Sequence, residues 1–315
     1  MRNKGIFIWS IVILVVVFIS SLMIGSVSLN PFSLSETEQN ILWNVRFPRI
    51  ILGLITGIVL GTVGAIFQGI LNNPLADPYL LGISSGAALG SIIALLLRQV
   101  LLMPIFGFVG ALLTIILVWN LAHKNRFVSK TQLILSGIII SLFFSAIISL
   151  LLSLFHRELA QIVSVLLGNL GYIFSKESII WLWIISGICL FVVIILNLFA
   201  VRINILSTGD YSAKGLGIDV QKTRKILFLL SSLITGIVVS FTGIIGFVGL
   251  IIPHTVRLIT GANHQRVIPL SGIIGGAFLI FCDTIARSIS VVEIPVGVIT
   301  ALFGAPFFIY LLKSK

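Results

Sequence analysis

Apolar runs long enough to cross a bilayer, cut by short polar or Gly/Pro-rich segments, recur along the whole of this 315-residue chain. A helix rises about 1.5 Å per residue and the hydrocarbon core is about 30 Å thick, so roughly 20 apolar residues span it. The pattern predicts ten blocks: 6–23, 50–70, 80–97, 101–122, 133–155, 179–201, 226–245, 247–260, 268–289 and 295–312. The eighth is too short for a full crossing and contains Pro253, which predicts a half-helix or a tilted segment. An amphipathic stretch, 159–170, is also too short and reads as re-entrant or interfacial. The first block follows Arg2 and Lys4 but outruns the apolar core of a signal peptide, so it reads as a retained span. The expected fold is therefore all-α, a polytopic membrane protein with about ten transmembrane helices, some short or broken. Residues 1–315 form a single transmembrane domain in this reading.

Composition agrees with the pattern and removes other classes. With 58% hydrophobic residues, 9% charged residues and a mean hydropathy of +1.22, the chain lacks the polar surface of a soluble protein. If the N-terminus is cytoplasmic and all ten blocks cross, six of the 20 Lys and Arg lie outside: Arg46, Arg49, Arg98, Arg157, Lys176 and Arg287. The remainder lie inside, which places both termini in the cytoplasm. The net charge of +11 is then a topology signal with lipid-headgroup contact, and no nucleic acid is needed to explain it. Glycines four apart (Gly53, Gly57 and Gly61; Gly82, Gly86 and Gly90; Gly272 and Gly276) mark faces where helix backbones approach closely.

Candidate chemistry is sparse. Cys189 and Cys282 lie in apolar blocks without zinc-ligand spacing, and His123, His156, His254 and His264 are scattered. No metal site, cofactor or catalytic triad is expected. The sequence has no Gly-x-x-x-x-Gly-Lys-Ser/Thr loop, so ATP is not bound here in the P-loop manner. Asp283 is the one acidic residue placed deep enough for an ion relay, and it stands four residues before Arg287 on a shared helix face. Two readings fit it: a structural ion pair, or the coupling residue of a proton- or sodium-driven secondary transporter. Arg257 likewise fits two roles, neutralising helix carbonyls or holding a cytoplasmic segment.

Four motifs then stand in order along the chain. They are Asn73-Pro74-Leu75-Ala76-Asp77-Pro78 running to Gly86, Gly246-Phe247-Val248-Gly249-Leu250 running to Arg257, Asp283 to Arg287, and Glu293 to Pro306. In this the chain resembles the permease subunits of iron-siderophore, haem and cobalamin ABC importers, over nearly its whole length. The resemblance implies a non-catalytic subunit that pairs with a second permease, as a homodimer or with a close paralogue. It also implies two cytoplasmic ABC ATPase subunits and an extracytoplasmic substrate-binding protein as partners.

The resemblance implies roles for particular residues. Arg46, Arg49 and Arg287 match arginines that face the binding protein, where guanidinium forks suit carboxylates. On this reading, charge reversal at Arg46 or Arg49 slows docking and leaves expression normal. Asn73 and Leu75 match the cytoplasmic gate, in a turn where Pro74 and Pro78 disfavour continuous helix. A second gate position holds Lys130 and Thr131, where the cobalamin importers carry small hydroxyl residues. The segment with Gly209, Asp210, Ala213, Leu216 and Gly217 matches the region that couples to the ATPase. Asp210 is expected to cap a short helix there, with Ala213 and Leu216 on one face.

Overall fold

The computed structural model describes residues 2–25, 35–124, 127–175, 177–290 and 293–313; Lys176 lies outside them. The chain forms helices α1 (Arg2–Met23), α2 (Glu36–Ile41), α3 (Phe47–Leu71), α4 (Ile83–Leu96), α5 (Met103–Ala122), α6 (Lys130–Leu154) and α7 (Leu159–Leu167). Then follow α8 (Ile179–Leu198), α9 (Ala200–Ser207), α10 (Asp210–Gly215), α11 (Val220–Thr242), α12 (Val248–Thr260), α13 (His264–Ala286) and α14 (Val296–Lys313). Among the described residues the only extended pairing is a two-residue antiparallel ladder joining His123–Lys124 to Phe127–Val128. Among the described residues, seven helices are long and apolar enough to cross a membrane, and three shorter apolar ones (83–96, 248–260 and 296–310) join them. The protein is thus an all-α polytopic membrane protein of about ten crossing helices, some short.

Three boundaries differ from the hydropathy reading, each for a local reason. The second block does not start at residue 50. Helix runs from Glu36 to Leu71, passing through a π-turn at Leu42–Arg46 just before Pro48. Proline lacks the N–H that a regular turn needs, and a wider turn absorbs the defect. The third block splits into a 3₁₀ turn at Pro78–Leu81, a left-handed Gly82 (φ +78°) and α4. The sixth continues past Phe199 into α9.

Helix α3 is the axis of the molecule, buried on nearly all sides and packed on α8, α11, α12 and α13. Apolar burial cannot drive helices together in lipid, so backbone proximity has to do so. A Cβ at Gly57 would lie 2.3 Å from the Gly275 carbonyl oxygen, and one at Gly61 would lie 2.1 Å from that of Ser271. The same device joins α4 to α5, where a Cβ at Gly90 would stand 2.1 Å from the Phe106 carbonyl oxygen. Large apolar side chains left exposed on α1, α5, α6 and α8 supply the lipid-facing surface.

Candidate functional site

The two ends of α3 carry two polar constellations, and the grooves between them are apolar. At the N-terminal end, Arg49 is the hub. Its Nε lies 3.0 and 3.2 Å from the Asp283 oxygens and its Nη2 lies 2.8 Å from Oδ1. Its Nη1 donates to both Glu293 oxygens at 2.9 Å. Arg287 approaches Asp283 at 3.4 Å along the predicted i,i+4 face, and its Nη2 donates to Ser21 Oγ at 2.7 Å and to the Ser21 carbonyl. Arg46 donates to the Leu22 and Met23 carbonyls at 2.9 and 3.0 Å, closing the C-terminal turn of α1 with positive charge.

All three arginines are buried, at 5%, 7% and 5% exposure for Arg46, Arg49 and Arg287. The Arg49 fork is filled from within the chain, Arg46 and Arg287 donate to α1, and the half-exposed Glu293 is the cluster's outermost carboxylate. The expectation that charge reversal at Arg49 spares expression is therefore revised, because reversal would set like charges together away from water. Asp283 is 1% exposed and gripped by Arg49 at 2.8 Å, while Arg287, the pair partner expected from the sequence, stands farther off at 3.4 Å.

At the other end, α3 stops at Asn72 in the left-handed region (φ 50°), and the Asn73 side chain accepts the Leu75 N–H at 2.9 Å. Leu75 projects outward, half exposed. Asp77 then caps the 3₁₀ turn through the Tyr79 N–H, and the Tyr79 hydroxyl accepts the Ile245 N–H at 3.0 Å. Burial pushes the Asp77 carboxyl up to about 6, against the opposing pull of the Tyr79 N–H.

Lys130 Nζ lies 3.3 Å from Asp210, while Thr131 is exposed on the first turn of α6. Asp210 does not cap α10. Gly209 holds the cap position with φ +118°, and the Asp210 carboxylate turns to Arg224 instead. Burial works to raise the Asp210 pKa, but the Arg224 hydrogen bond and charge, with Lys130 beside it, hold it below the usual range. Ala213 is buried, whereas Leu216, at the end of the helix and still bonded through its N–H to the Ser212 carbonyl, is 67% exposed, so the two do not bury together. The helix ends at Gly215 and the chain turns at Gly217, which is left-handed (φ +78°).

Several residues carry structure that hydropathy did not single out. Pro253 leaves the Gly249 carbonyl without its helical partner, and Gln68 on α3 donates to the Gly249 and Leu250 carbonyls at 3.2 Å. Arg257 donates to the Gln68 side-chain oxygen, which places it at the α12–α3 junction instead of on the cytoplasmic segment. Phe247 heads α12 with φ +71°, a conformation costly for a bulky residue, and its ring packs over Gly304 of α14. A groove of about 440 Å³ lined by Asp77, Tyr79, Ile138, Ser141 and Leu142 lies beside one of about 560 Å³ lined by Leu166, Leu167, Ala301 and Pro306. Ile244, Gly246 and Phe247 line both. The early signals of these roles were Pro253 and the Gly246-to-Arg257 motif; the irregular backbone itself lies at residues 243–247, and neither signal names the side chains that meet there.

Comparison with known proteins follows the same lines. A family model described as the FecCD transport family matches residues 13–314. The chain is 40% identical over 288 residues to the cobalamin import system permease protein of Halobacterium salinarum, covering 90% of this chain and 76% of that one. It is 34% identical over 290 residues to the molybdate import system permease protein of Haemophilus influenzae, covering 89% and 84%. A solved structure described as an inward-facing conformation of a metal-chelate type ABC transporter aligns with a TM-score of 0.87 at 33% identity, covering 99% of each chain.

Proposed function

The chain belongs to the FecCD transport family, and from that premise we propose that it carries a metal-bearing ligand across the cell membrane as the permease of an ATP-driven importer. The observation that carries this reading is the match of fold and sequence along the whole chain, at 99% coverage of an ABC transporter chain. The sequence brings no P-loop, so the engine sits on other subunits. Relatives named for cobalamin and for molybdate show how far cargo varies on one scaffold. Wide apolar grooves with few polar groups suit a bulky chelate, and an iron-siderophore or haem fits that class.

In this proposal both termini are cytoplasmic, as the Lys and Arg distribution supports. Two ABC ATPase subunits bind the face carrying α10, where Tyr211 and Leu216 stand exposed between Gly209 and Gly217. Asn73 and Leu75, with Lys130 and Thr131, form the gate on that side. A second permease subunit, identical or a close paralogue, completes the pathway. The opposite end meets an extracytoplasmic binding protein, with Arg46, Arg49 and Arg287 supporting the docking surface from beneath and Glu293 at its edge. A structural relative is described as inward-facing, and in this proposal the chain adopts that state during its cycle. Nucleotide binding would shift the pathway between states through its differential affinity for them.

The ion-coupled alternative is set aside. A relay carboxylate must exchange protons or ions during transport, whereas Asp283 is enclosed and committed to Arg49 at 2.8 Å. Reconstitution tests the proposal directly. Vesicles holding this chain with its ATPase and binding protein are expected to accumulate an iron chelate only when ATP is inside with the ATPase. Uptake by this chain alone, driven by an imposed ion gradient and abolished by Asp283→Asn, would refute it.

A further inference from the structure

The segment assigned to ATPase contact and the position assigned to the second gate meet at one carboxylate. Arg224 on α11 is 1% exposed, and its Nη2 lies 2.8 and 2.9 Å from the two Asp210 oxygens. Its other terminal nitrogen donates to the Val128 carbonyl at 3.1 Å. Gln221, one turn earlier on α11, accepts the Val128 N–H at 3.0 Å and donates to the Val128 carbonyl at 3.4 Å. Val128 and α10 are thereby both fastened to α11. Two residues after Val128, Lys130 begins α6 and reaches the same Asp210 at 3.3 Å. Ser129 lies between them and caps α6 through the Gln132 N–H at 3.1 Å.

The two arms on Asp210 differ in strength. The Arg224 arm is shorter, engages both oxygens and has its guanidinium shielded from water; the Lys130 arm is longer and joins a lysine side chain 22% exposed to a carboxylate 37% exposed. A desolvated, hydrogen-bonded charge is costly to strip, whereas a solvated one is readily exchanged for water. We propose that Lys130 and Asp210 form a releasable clasp between α10 and α6, with Arg224 and Val128 as its fixed anchor, which ties movement of the ATPase-binding segment to the gating helix. Lys130 is a positioning residue on this account: it sets the angle of α6 about Ser129 in the resting state and lets go when α6 swings. The role depends on this chain's own residues, because only a long cation at the head of α6 reaches the Asp210 carboxylate across the gap. It rests on the assignment of α10 to ATPase contact.

The test uses the assembled transporter in proteoliposomes with its ATPase and binding protein. Lys130→Ala is expected to raise unstimulated ATP hydrolysis and lower iron chelate moved per ATP by a factor of about two to five, the range an exposed ion pair allows. Lys130→Glu, which sets like charges together, is expected to exceed that effect, and Lys130→Arg to restore coupling. Spin labels at Leu135→Cys on α6 and Ser212→Cys on α10 supply a readout that loss of folding would not mimic. In Lys130→Glu the ATP-free distance distribution is expected to match that of the nucleotide-trapped wild type. Leu216→Glu separates the two levels of the argument. If it leaves ATPase binding intact, the assignment of α10 fails and the clasp fails with it. If it removes ATPase binding while Lys130→Ala and Lys130→Glu keep wild-type coupling and distances, the clasp alone is refuted.

Discussion

Replacing Arg49 by alanine removes the hub of the cluster at the N-terminal end of α3, and the structure sets the scale of the loss. The guanidinium is 7% exposed and Asp283 is 1% exposed, so neither can be rescued by water. Without Arg49, Asp283 keeps only the oblique Arg287 contact at 3.4 Å. Breaking one side of a buried pair costs about 3–5 kcal/mol, because the remaining charge stays desolvated. The Glu293 arm adds little, about 0–1 kcal/mol, since that carboxylate is 47% exposed. Replacing both members, Arg49→Met with Asp283→Leu, is expected to cost less than Arg49→Ala alone, as apolar side chains carry no desolvation debt. Thermal unfolding in mild detergent, followed by tryptophan fluorescence, checks this, because Trp43 and Trp183 flank Phe47 two residues away, at 5.5 and 6.3 Å. An Arg49→Ala variant that unfolds with wild type, or a double variant worse than either single one, would refute the reasoning. Normal stability with selectively weakened binding-protein docking would turn Arg49 outward, toward the partner.

Three further outcomes are expected. Gly61→Ala should destabilise by about 1–3 kcal/mol or more, because its Cβ would stand 2.1 Å from the Ser271 carbonyl oxygen, while Gly187→Ala, which meets nothing, should be neutral or mildly stabilising in the same unfolding assay. Phe247→Gly should be more stable than Phe247→Ala by about 1–2 kcal/mol, since only glycine occupies a left-handed backbone without strain; equal midpoints would remove the strain argument. Asp77 and Asp210 should respond to pH with opposite signs. Asp77, raised to about 6, makes the fold lose stability as pH climbs from about 4 to about 6, so Asp77→Asn should flatten that part of the profile. Asp210, held low, contributes stability above about pH 4 that is lost only as pH falls through its depressed pKa. Hydrogen exchange in α10 should therefore show no Asp210-linked loosening between pH 5 and 8.

Sequence alone determined the class, the number of crossings and the places where helices break. Those properties are local: a run of apolar side chains long enough for the bilayer, and prolines such as Pro74 and Pro78 that lack a donor wherever they fall, although Pro253 lies within α12 without ending it. The glycine spacing announced close packing, and Gly57 and Gly61 pack as it predicts, but nothing local names Ser271 and Gly275 as their partners. Hydropathy also misjudged where the second span begins, because it counts apolar side chains and is blind to a polar helix extending to Glu36. Only the tertiary structure decided the electrostatics. Arg49 meets Asp283 across 234 residues, Gln68 meets Gly249 across 181, and Lys130 meets Asp210 where two separate segments converge. A charge in a low-dielectric interior is governed by what lies within a few ångströms of it, and that neighbourhood exists only once the helices have chosen their faces.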